Sequence, residues 1–352
     1  MTINHNFYLD LAYQLAERNL GKTGLNPSVG ALVVKDNTVI SSGITSVNGR
    51  PHAEFNALNK LKNCSGASLY STLEPCVHYG KTPPCTKIII KKKIKKVYFG
   101  AFDPDTRSFK KAKSVLKKKG IQAKRIKSKN YKNFYKSYFI NKKFNIPLIS
   151  AKVALSNDFF SINKNKKWIT NEFSRNVVHL LRSRHNCILS TSKTINLDNS
   201  LLNCRIDGLD KFKPHLFIID LNLKLKKNLL LNKLIRKRKT YIITKKTNIK
   251  KIGLYKKKGY KMIFLNSLKN KKDFILLYEK IYNLGYQSVL IETGLNFLNT
   301  LIKNKLINNL YLFKNNKNLK INGKNNISPN FLKKMKFKPI SINLSNDKLL
   351  IK

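Results

Sequence analysis

Acidic residues are scarce here: 17 Asp and Glu stand against 71 Lys and Arg in 352 residues, a formal charge of +54. Such an excess invites a nucleic-acid reading. Lysine, however, is dispersed in short runs such as KKK, KKN and NKK, with Asn and Ile also swollen. Localised patches of arginine with interleaved aromatics would be the expected footprint of a nucleic-acid site. A drift imposed by an AT-rich genome explains the pattern, so no specific nucleic-acid partner is expected. Cysteine is also sparse. Five residues, at 64, 76, 85, 187 and 204, are too few and too irregular for a disulfide framework, and Cys64, Cys187 and Cys204 read as incidental buried thiols. No run of about eighteen apolar residues occurs, so no membrane partner is expected. The opening MTINHNFYLDLAYQLAERNL carries acids and a helical period rather than a signal layout, which points to a cytoplasmic protein. No GxGxxG is present either, which argues against a Rossmann cofactor site.

What is present fits two domains, since single cores stop growing near 250–300 residues. Chemistry concentrates around residues 50 to 85, in GRPHAEFNAL and TLEPCVHYGKTPPC. His52, Cys76 and Cys85 supply one imidazole and two thiolates, a set that zinc prefers. Three protein ligands leave a fourth position for water, whose pKa a bound zinc lowers to about 7. Glu54 is placed to shuttle protons beside the metal. His-x-Glu followed by Pro-Cys and a second Cys is the pattern of zinc deaminases acting on amino-substituted bases. Here nine positions separate the cysteines, so the Gly/Pro-rich loop between them must fold back. The rival reading makes His52 a surface histidine and the cysteines small buried hydrophobes.

The surrounding pattern predicts an amphipathic helix over 6–19 and a hairpin of GALVVKD and TVISSGI turning at Asp36-Asn37. Arg50-Pro51 is expected to open a helix bearing His52 and Glu54. ASLYST and VYFGA read as strands, a helix follows Pro84 and Cys85, and FKKAKSVLKKKG is a helix ended by Gly120. This alternation argues an α/β fold with both ligand segments at helix N-termini, where backbone dipoles favour thiolates at Cys76 and Cys85. Aromatics near 130–147 suggest a packing helix. A boundary at Pro147 gives domains 1–146 and 147–352.

HAEFNAL, TLEPCVHYGKTPPC and DNSLLNCR together resemble the bifunctional deaminase–reductases of riboflavin biosynthesis. The resemblance implies a cytidine-deaminase-like three-layer domain followed by a dihydrofolate-reductase-like domain. It implies deamination of 2,5-diamino-6-(5-phosphoribosylamino)pyrimidin-4-one with zinc, then NADPH reduction of the ribosyl group. A homo-oligomer and a small phosphoribosyl pyrimidine substrate are the expected partners. Asn26 falls in the base pocket, and its amide can read a pyrimidine edge; a turn-forming Asn is the alternative. His78, Lys81 and Thr82 are candidate sugar-phosphate contacts or a solvated loop.

In the second half, LISAKVALSND resembles the reductase opening, whose Ser-x-Asp turn lines the cofactor cleft. The resemblance places Trp168, Thr194, Asp198 and Gly294 on the nicotinamide cofactor, and Arg182, Leu202, Arg205 and Glu292 on substrate. Arginine suits a phosphate bidentately, and Gly294 at a helix start lets a phosphate approach free amides. Departures cluster here. Phe159 replaces a glycine, the expected Asp-Pro is Asn199-Ser200, and Asn308-Asn309 replaces an acidic pair. In the first domain, the glycines expected after Asp103-Pro104 are replaced around Lys110 and Ala112. Three rivals follow: a deaminase with an eroded reductase half, an RNA base deaminase, and a non-enzymatic zinc-stabilised binding protein.

Overall fold

A computed structural model describes residues 4–127, 131–211, 213–326, 332 and 335–352. The chain divides into two compact units, Met1–Ile146 and Pro147–Lys352.

In the first unit the order is α1 (His5–Glu17), β1 (Gly30–Lys35), β2 (Thr38–Ile44), α2 (Ala53–Leu58), β3 (Ser68–Leu73), α3 (Cys85–Lys91), β4 (Lys96–Ala101), α4 (Ala112–Lys117), β5 (Gln122–Arg125), α5 (Tyr131–Phe134) and α6 (Lys136–Phe144). The strands form one sheet ordered β2-β1-β3-β4-β5. β1 runs antiparallel to both its neighbours, whereas β3, β4 and β5 are parallel. The hairpin turn falls on Asp36 and Asn37, both at positive φ (47° and 59°), as a tight two-residue hairpin loop demands. Alternation along β1 buries Leu32 and Val34 against α1, and Ala31 and Val33 in the cluster holding Ala53, Ala57 and Ile89. Helices therefore cover both faces, giving three layers. Gly43 lets β2 approach α2, since a Cβ there would lie 2.3 Å from the Ala53 carbonyl oxygen.

Two helix starts differ from expectation. Pro51 does not open α2: His52 is its N-cap, in extended backbone at φ −73° and ψ 161°, and the helix begins at Ala53. The Pro51 carbonyl instead accepts from the Ser46 N–H, and Arg50 and His52 on either side of it are in extended backbone, as the residue before a proline prefers. The helix expected from Phe109 begins only at Ala112, because Lys110 sits at φ +58°. The aromatic stretch is two helices, α5 and α6, with Tyr135 and Tyr138 buried; residues 128–130, just before them, lie outside the described residues.

The second unit runs β6 (Leu148–Leu155), β7 (Phe160–Asn163), α7 (Glu172–Ser183), β8 (Cys187–Thr191), α8 (Ser192–Asp198), β9 (His215–Ile219), β10 (Thr240–Thr244), α9 (Ile249–Lys257), β11 (Lys261–Phe264), α10 (Lys271–Asn283), β12 (Ser288–Glu292), α11 (Leu295–Lys303), β13 (Asn309–Asn315), β14 (Gly323–Asn326), β15 (Lys338–Pro339) and β16 (Asp347–Ile351). Nine strands form the sheet β11-β10-β9-β8-β12-β6-β13-β16-β15, while β7 pairs with β14. From β11 to β13 the pairings are parallel. Fully buried strands such as β10 and β12 fit a parallel sheet covered on both faces. Phe159 keeps φ at +67°, so the turn after β6 holds a left-handed residue without a glycine. No helix among the described residues is long and apolar enough to cross a membrane.

Candidate active sites

The short α2 and α3 bring the first site together. His52, in extended backbone at the start of α2, aims Nδ1 at two sulfurs: 3.7 Å from Cys76 Sγ and 3.4 Å from Cys85 Sγ. Cys85 is the first residue of α3, and its N–H donates to Cys76 Sγ at 3.2 Å. The long loop thus closes back on itself, and a free amide at the helix start supports the first thiolate. All three ligand atoms lie within 4.8 Å of one another. A tetrahedral zinc with ordinary bonds separates an imidazole nitrogen from a thiolate by about 3.6 Å, so the donor set and its spacing both fit that ion.

The protein's own charges divide the protons unevenly in this cluster. Cys76 is brought down to about 4, first by the hydrogen bond from Cys85 and also by His52. Cys85 is pushed well up, by the same hydrogen bond and by burial. A cation held between the two sulfurs would favour the thiolate form of both. His52 is raised chiefly by its contact with Cys76.

Glu54 lies on the same turn of α2, buried, with Oε1 accepting from Ser71 Oγ at 3.2 Å and Oε2 from Cys85 Sγ at 3.3 Å. Burial, with the Cys76 charge beside it, raises its carboxyl above the ordinary range. A carboxyl so placed can take up and release a proton beside the two sulfurs. The cleft around it, about 540 Å³ and open to solvent, is lined by Asn26, Arg50, His78, Glu74, Asp103 and Lys142 among others. Asn26 Nδ2 donates to the Gly49 carbonyl at 3.0 Å, which fixes its amide at the rim. His78 Nδ1 pairs with Ser108 Oγ at 2.9 Å. Thr82 accepts from Arg50 Nη1, and Lys81 is exposed outside the lining residues.

Sequence reasoning missed part of this cleft. Glu74 accepts from the backbone N–H groups of Asp103, Lys110 and Ala112, so it ties the loop after β4 to the Pro-Cys turn. Arg50 Nη1 lies 3.5 Å from His52 Nε2. Burial pushes Asp103 up to about 6, whereas Asp105 is held far down by Arg107 and then Lys142. The cue for Glu74 was a glutamate abutting Pro-Cys; its partners, being backbone groups, carry no sequence signature.

In the second unit, Glu292 ends β12 and Arg182 stands on the last turn of α7. Arg182 Nε and Nη2 donate to the two Glu292 oxygens at 2.6 and 2.9 Å. Lys152 Nζ, on β6, lies 3.9 Å from the same carboxylate. Burial would raise Glu292, but Arg182 and then Lys152 outweigh it and hold the carboxyl at about 2. Lys152 was another residue not anticipated; burial lowers its ammonium. Arg182 Nη1 also donates to the Asn203 carbonyl at 3.1 Å, and Arg205 Nη1 to Asn203 Oδ1 at 2.8 Å. Arg182, Glu292 and Arg205 thus converge on one strand end. Thr194 Oγ1 accepts from the Gly294 N–H at 3.2 Å, which joins two of the expected cofactor residues where β12 enters α11. Asp198 ends α8 at the surface. Leu202 and Trp168 behave differently. The Leu202 side chain is buried in the apolar cluster with Ile188 and Ile195, and Trp168 is 51 % exposed beneath the Arg175 guanidinium.

Residues 2–101 match the family model of the cytidine and deoxycytidylate deaminase zinc-binding region, and residues 148–324 that of the RibD C-terminal domain. The riboflavin biosynthesis protein RibD of Aquifex aeolicus is 32 % identical over 311 residues, covering 87 % of this chain and 85 % of that protein. RibD of Buchnera aphidicola is 32 % identical over 330 residues, covering 87 % and 86 %. Among solved structures, Acinetobacter baumannii RibD superposes with a TM-score of 0.84 at 25 % identity, over 99 % of this chain and 98 % of that one. A Thermotoga maritima diaminohydroxyphosphoribosylaminopyrimidine deaminase/5-amino-6-(5-phosphoribosylamino)uracil reductase gives 0.83 at 25 % identity, over 99 % and 97 %. A zinc-binding deaminase domain before a reductase domain, with relatives of the same build across nearly the whole length, leads to one assignment: the chain belongs to the RibD family of bifunctional deaminase–reductases of riboflavin biosynthesis.

Proposed function

We propose that residues 1–146 deaminate the diaminopyrimidine ribosylamine phosphate with one catalytic zinc held by His52, Cys76 and Cys85. The single observation that carries this is the closure of the imidazole and both sulfurs on one point with the Glu54 carboxylate beside them. A zinc there would activate water at neutral pH. Glu54 takes one proton from the attacking water and gives it to the ring nitrogen, then takes the second from the new hydroxyl and gives it to the departing amine. The products are ammonia and a carbonyl in place of the exocyclic amine. Asn26 reads the pyrimidine edge, and His78 stands toward the sugar phosphate.

Residues 147–352 would then reduce the ribosyl group to ribityl. NADPH would supply the hydride, with its nicotinamide half near Thr194, Asp198 and Gly294 and with Trp168 at the rim. Arg182 and Arg205 hold the substrate's anionic end, Glu292 orients it, and Leu202 contributes through its backbone. Lys152, beside Glu292, is the cation placed to give a proton as the ribose ring opens. The intact Arg182–Glu292 pair and Thr194–Gly294 bond favour a working reductase over an eroded one. The enzyme is further proposed to act as a cytoplasmic homo-oligomer without a specific nucleic-acid partner, which light scattering and a salt titration against tRNA would check.

The first experiment follows ammonia release from zinc-loaded protein with the diaminopyrimidine phosphate, then NADPH oxidation in the same cuvette. Ammonia followed by NADPH oxidation is expected. Ammonia alone would overturn the reductase assignment, and neither signal would overturn both.

A further inference from the structure

Arg238 is 4 % exposed, yet among the described residues no carboxylate forms an ion pair with it. A buried guanidinium without a counter-charge is costly, so what it touches matters. Its Nη2 donates to the Leu201 carbonyl at 2.6 Å, and its Nη1 to the carbonyls of Leu202 and, at 3.1 Å, of Pro214. All three acceptors lie in the stretch 199–214 between α8 and β9, which contains no helix or strand among its described residues. Loops this long without their own regular structure usually serve a site.

The same stretch is held by a second element. Arg182 and His179, both on α7, meet the Asn203 carbonyl at 3.1 and 3.0 Å, and the Asn203 side chain in turn holds Arg205. Leu202 is carried through a left-handed turn at φ +47°, which a leucine does not adopt unaided. Arg238 bonds the two peptide oxygens immediately before Asn203, so it sets the direction in which Asn203 and Arg205 leave the turn. Arg238 precedes β10 and Pro214 precedes β9, so this anchor sits at the N-terminal edge of those parallel strands, and the turn connects it through the Asn203 carbonyl to Arg182, which reaches Glu292 at the C-terminal end of β12. Burial, with the Arg182 charge next, brings Arg238 down to about 10, still charged at any working pH.

We propose that Arg238 is a positioning residue of the reductase, a buried strap that fixes the 201–205 turn so that Arg205 meets the anionic end of the substrate. This rests on the proposed substrate role of Arg205. A lysine cannot reproduce it, because one ammonium on a flexible stem does not span three carbonyls as a planar fork does.

The test uses full-length, zinc-loaded protein with the deaminated phosphoribosyl substrate and NADPH, comparing Arg238→Met, Arg238→Lys and Arg205→Gln. Arg238→Met should raise KM for the phosphoribosyl substrate about tenfold or more, the scale of a misplaced contact. KM for NADPH and the deaminase rate of the same preparation should stay within about twofold, with Arg238→Lys intermediate. Should Arg238→Met prove too unstable to purify, Arg238→Lys alone carries the test through the same KM split. A raised KM in Arg205→Gln with unchanged KM in both Arg238 variants would overturn the strap while sparing the substrate reading. Unchanged KM in Arg205→Gln would instead overturn the substrate reading on which the strap depends. A parallel fall of both activities with Tm would reduce Arg238 to a structural role and overturn the proposal as well.

Discussion

Glu54 and Glu292 are both buried carboxylates, 3 % and 7 % exposed, one in each unit, and their surroundings drive them in opposite directions. Glu54 has only neutral donors on its oxygens, a hydroxyl and a thiol, and among the described residues no lysine or arginine pairs with it. Glu292 receives a bidentate guanidinium and has a lysine close by. Desolvation wins at the first and raises its carboxyl; the ion pair wins at the second and holds it at about 2. Equal burial therefore yields a carboxyl raised above its ordinary range in one place and a fixed anion in the other.

The sharpest way to break this contrast is Glu54→Gln. The amide keeps the size and can still accept from Ser71, but it cannot carry a proton. Deamination should fall roughly a thousandfold, within the range general acid–base groups contribute, with zinc content and reductase turnover unchanged. Metal analysis alongside ammonia release checks it. Retained turnover at full zinc loading would show that Glu54 is not the carrier.

Next comes Glu292→Gln, which leaves the Arg182 and Lys152 charges buried without their anion. Breaking a buried pair on one side costs about 3–5 kcal/mol, read as a lower urea midpoint for the second unit. Glu54→Gln, which removes an unpaired buried carboxyl, should be neutral or slightly stabilising by the same measurement. Equal destabilisation by both substitutions would erase the distinction drawn between them.

The contrast also has a pH signature. The Glu292 carboxyl sits at about 2 in the folded protein, below an unfolded value of about 4.3. Its stabilising contribution is therefore full above the unfolded value and is lost as pH falls through roughly 4 toward 2. The stability gap between wild type and Glu292→Gln should narrow across that window, and urea titrations at stepped pH would show it. A gap that stays constant down to about pH 2 would mean that the carboxyl is not depressed.

The two sites were unequally legible in the sequence. Metal chemistry requires particular residue types at short range, so His52, Glu54, Cys76 and Cys85 stood out, and the hairpin at Asp36-Asn37 did so through its turn chemistry. Pro51 misled because proline is favoured both at a helix start and in the extended segment before one; only the tertiary need to aim His52 at two sulfurs decides between them. Lys152 and Arg238 were not legible at all, and Glu74 showed only its place before Pro-Cys. Their partners are backbone groups or residues far along the chain, as when Lys152 meets Glu292. The resemblance named Leu202, but whether its side chain or its backbone faces the site depends on packing that spacing does not reveal.

Glu74 is a third case beside Glu54 and Glu292. Burial raises its carboxyl, while backbone N–H groups led by that of Ala112 oppose the shift, so it is satisfied by the chain itself rather than by a cation. Lys110 provides one of those groups, donating at 3.0 Å from a left-handed φ of +58°. Such backbone costs a residue with a Cβ about 1–2 kcal/mol. Glycine removes that cost but returns about 0.5–1 kcal/mol through the freedom of the unfolded chain. Lys110→Gly should therefore stabilise the first unit by no more than about 1 kcal/mol, and Lys110→Ala, which keeps the Cβ, should not stabilise it. Because the side chain is exposed, the difference between the two variants isolates the backbone, and urea midpoints measured in parallel would reveal it. If alanine and glycine shift the midpoint equally, the effect belongs to the lysine side chain over Phe109 and Phe102. In that case the turn that serves Glu74 is held without strain, and Glu74 is the least demanding of the three buried carboxylates.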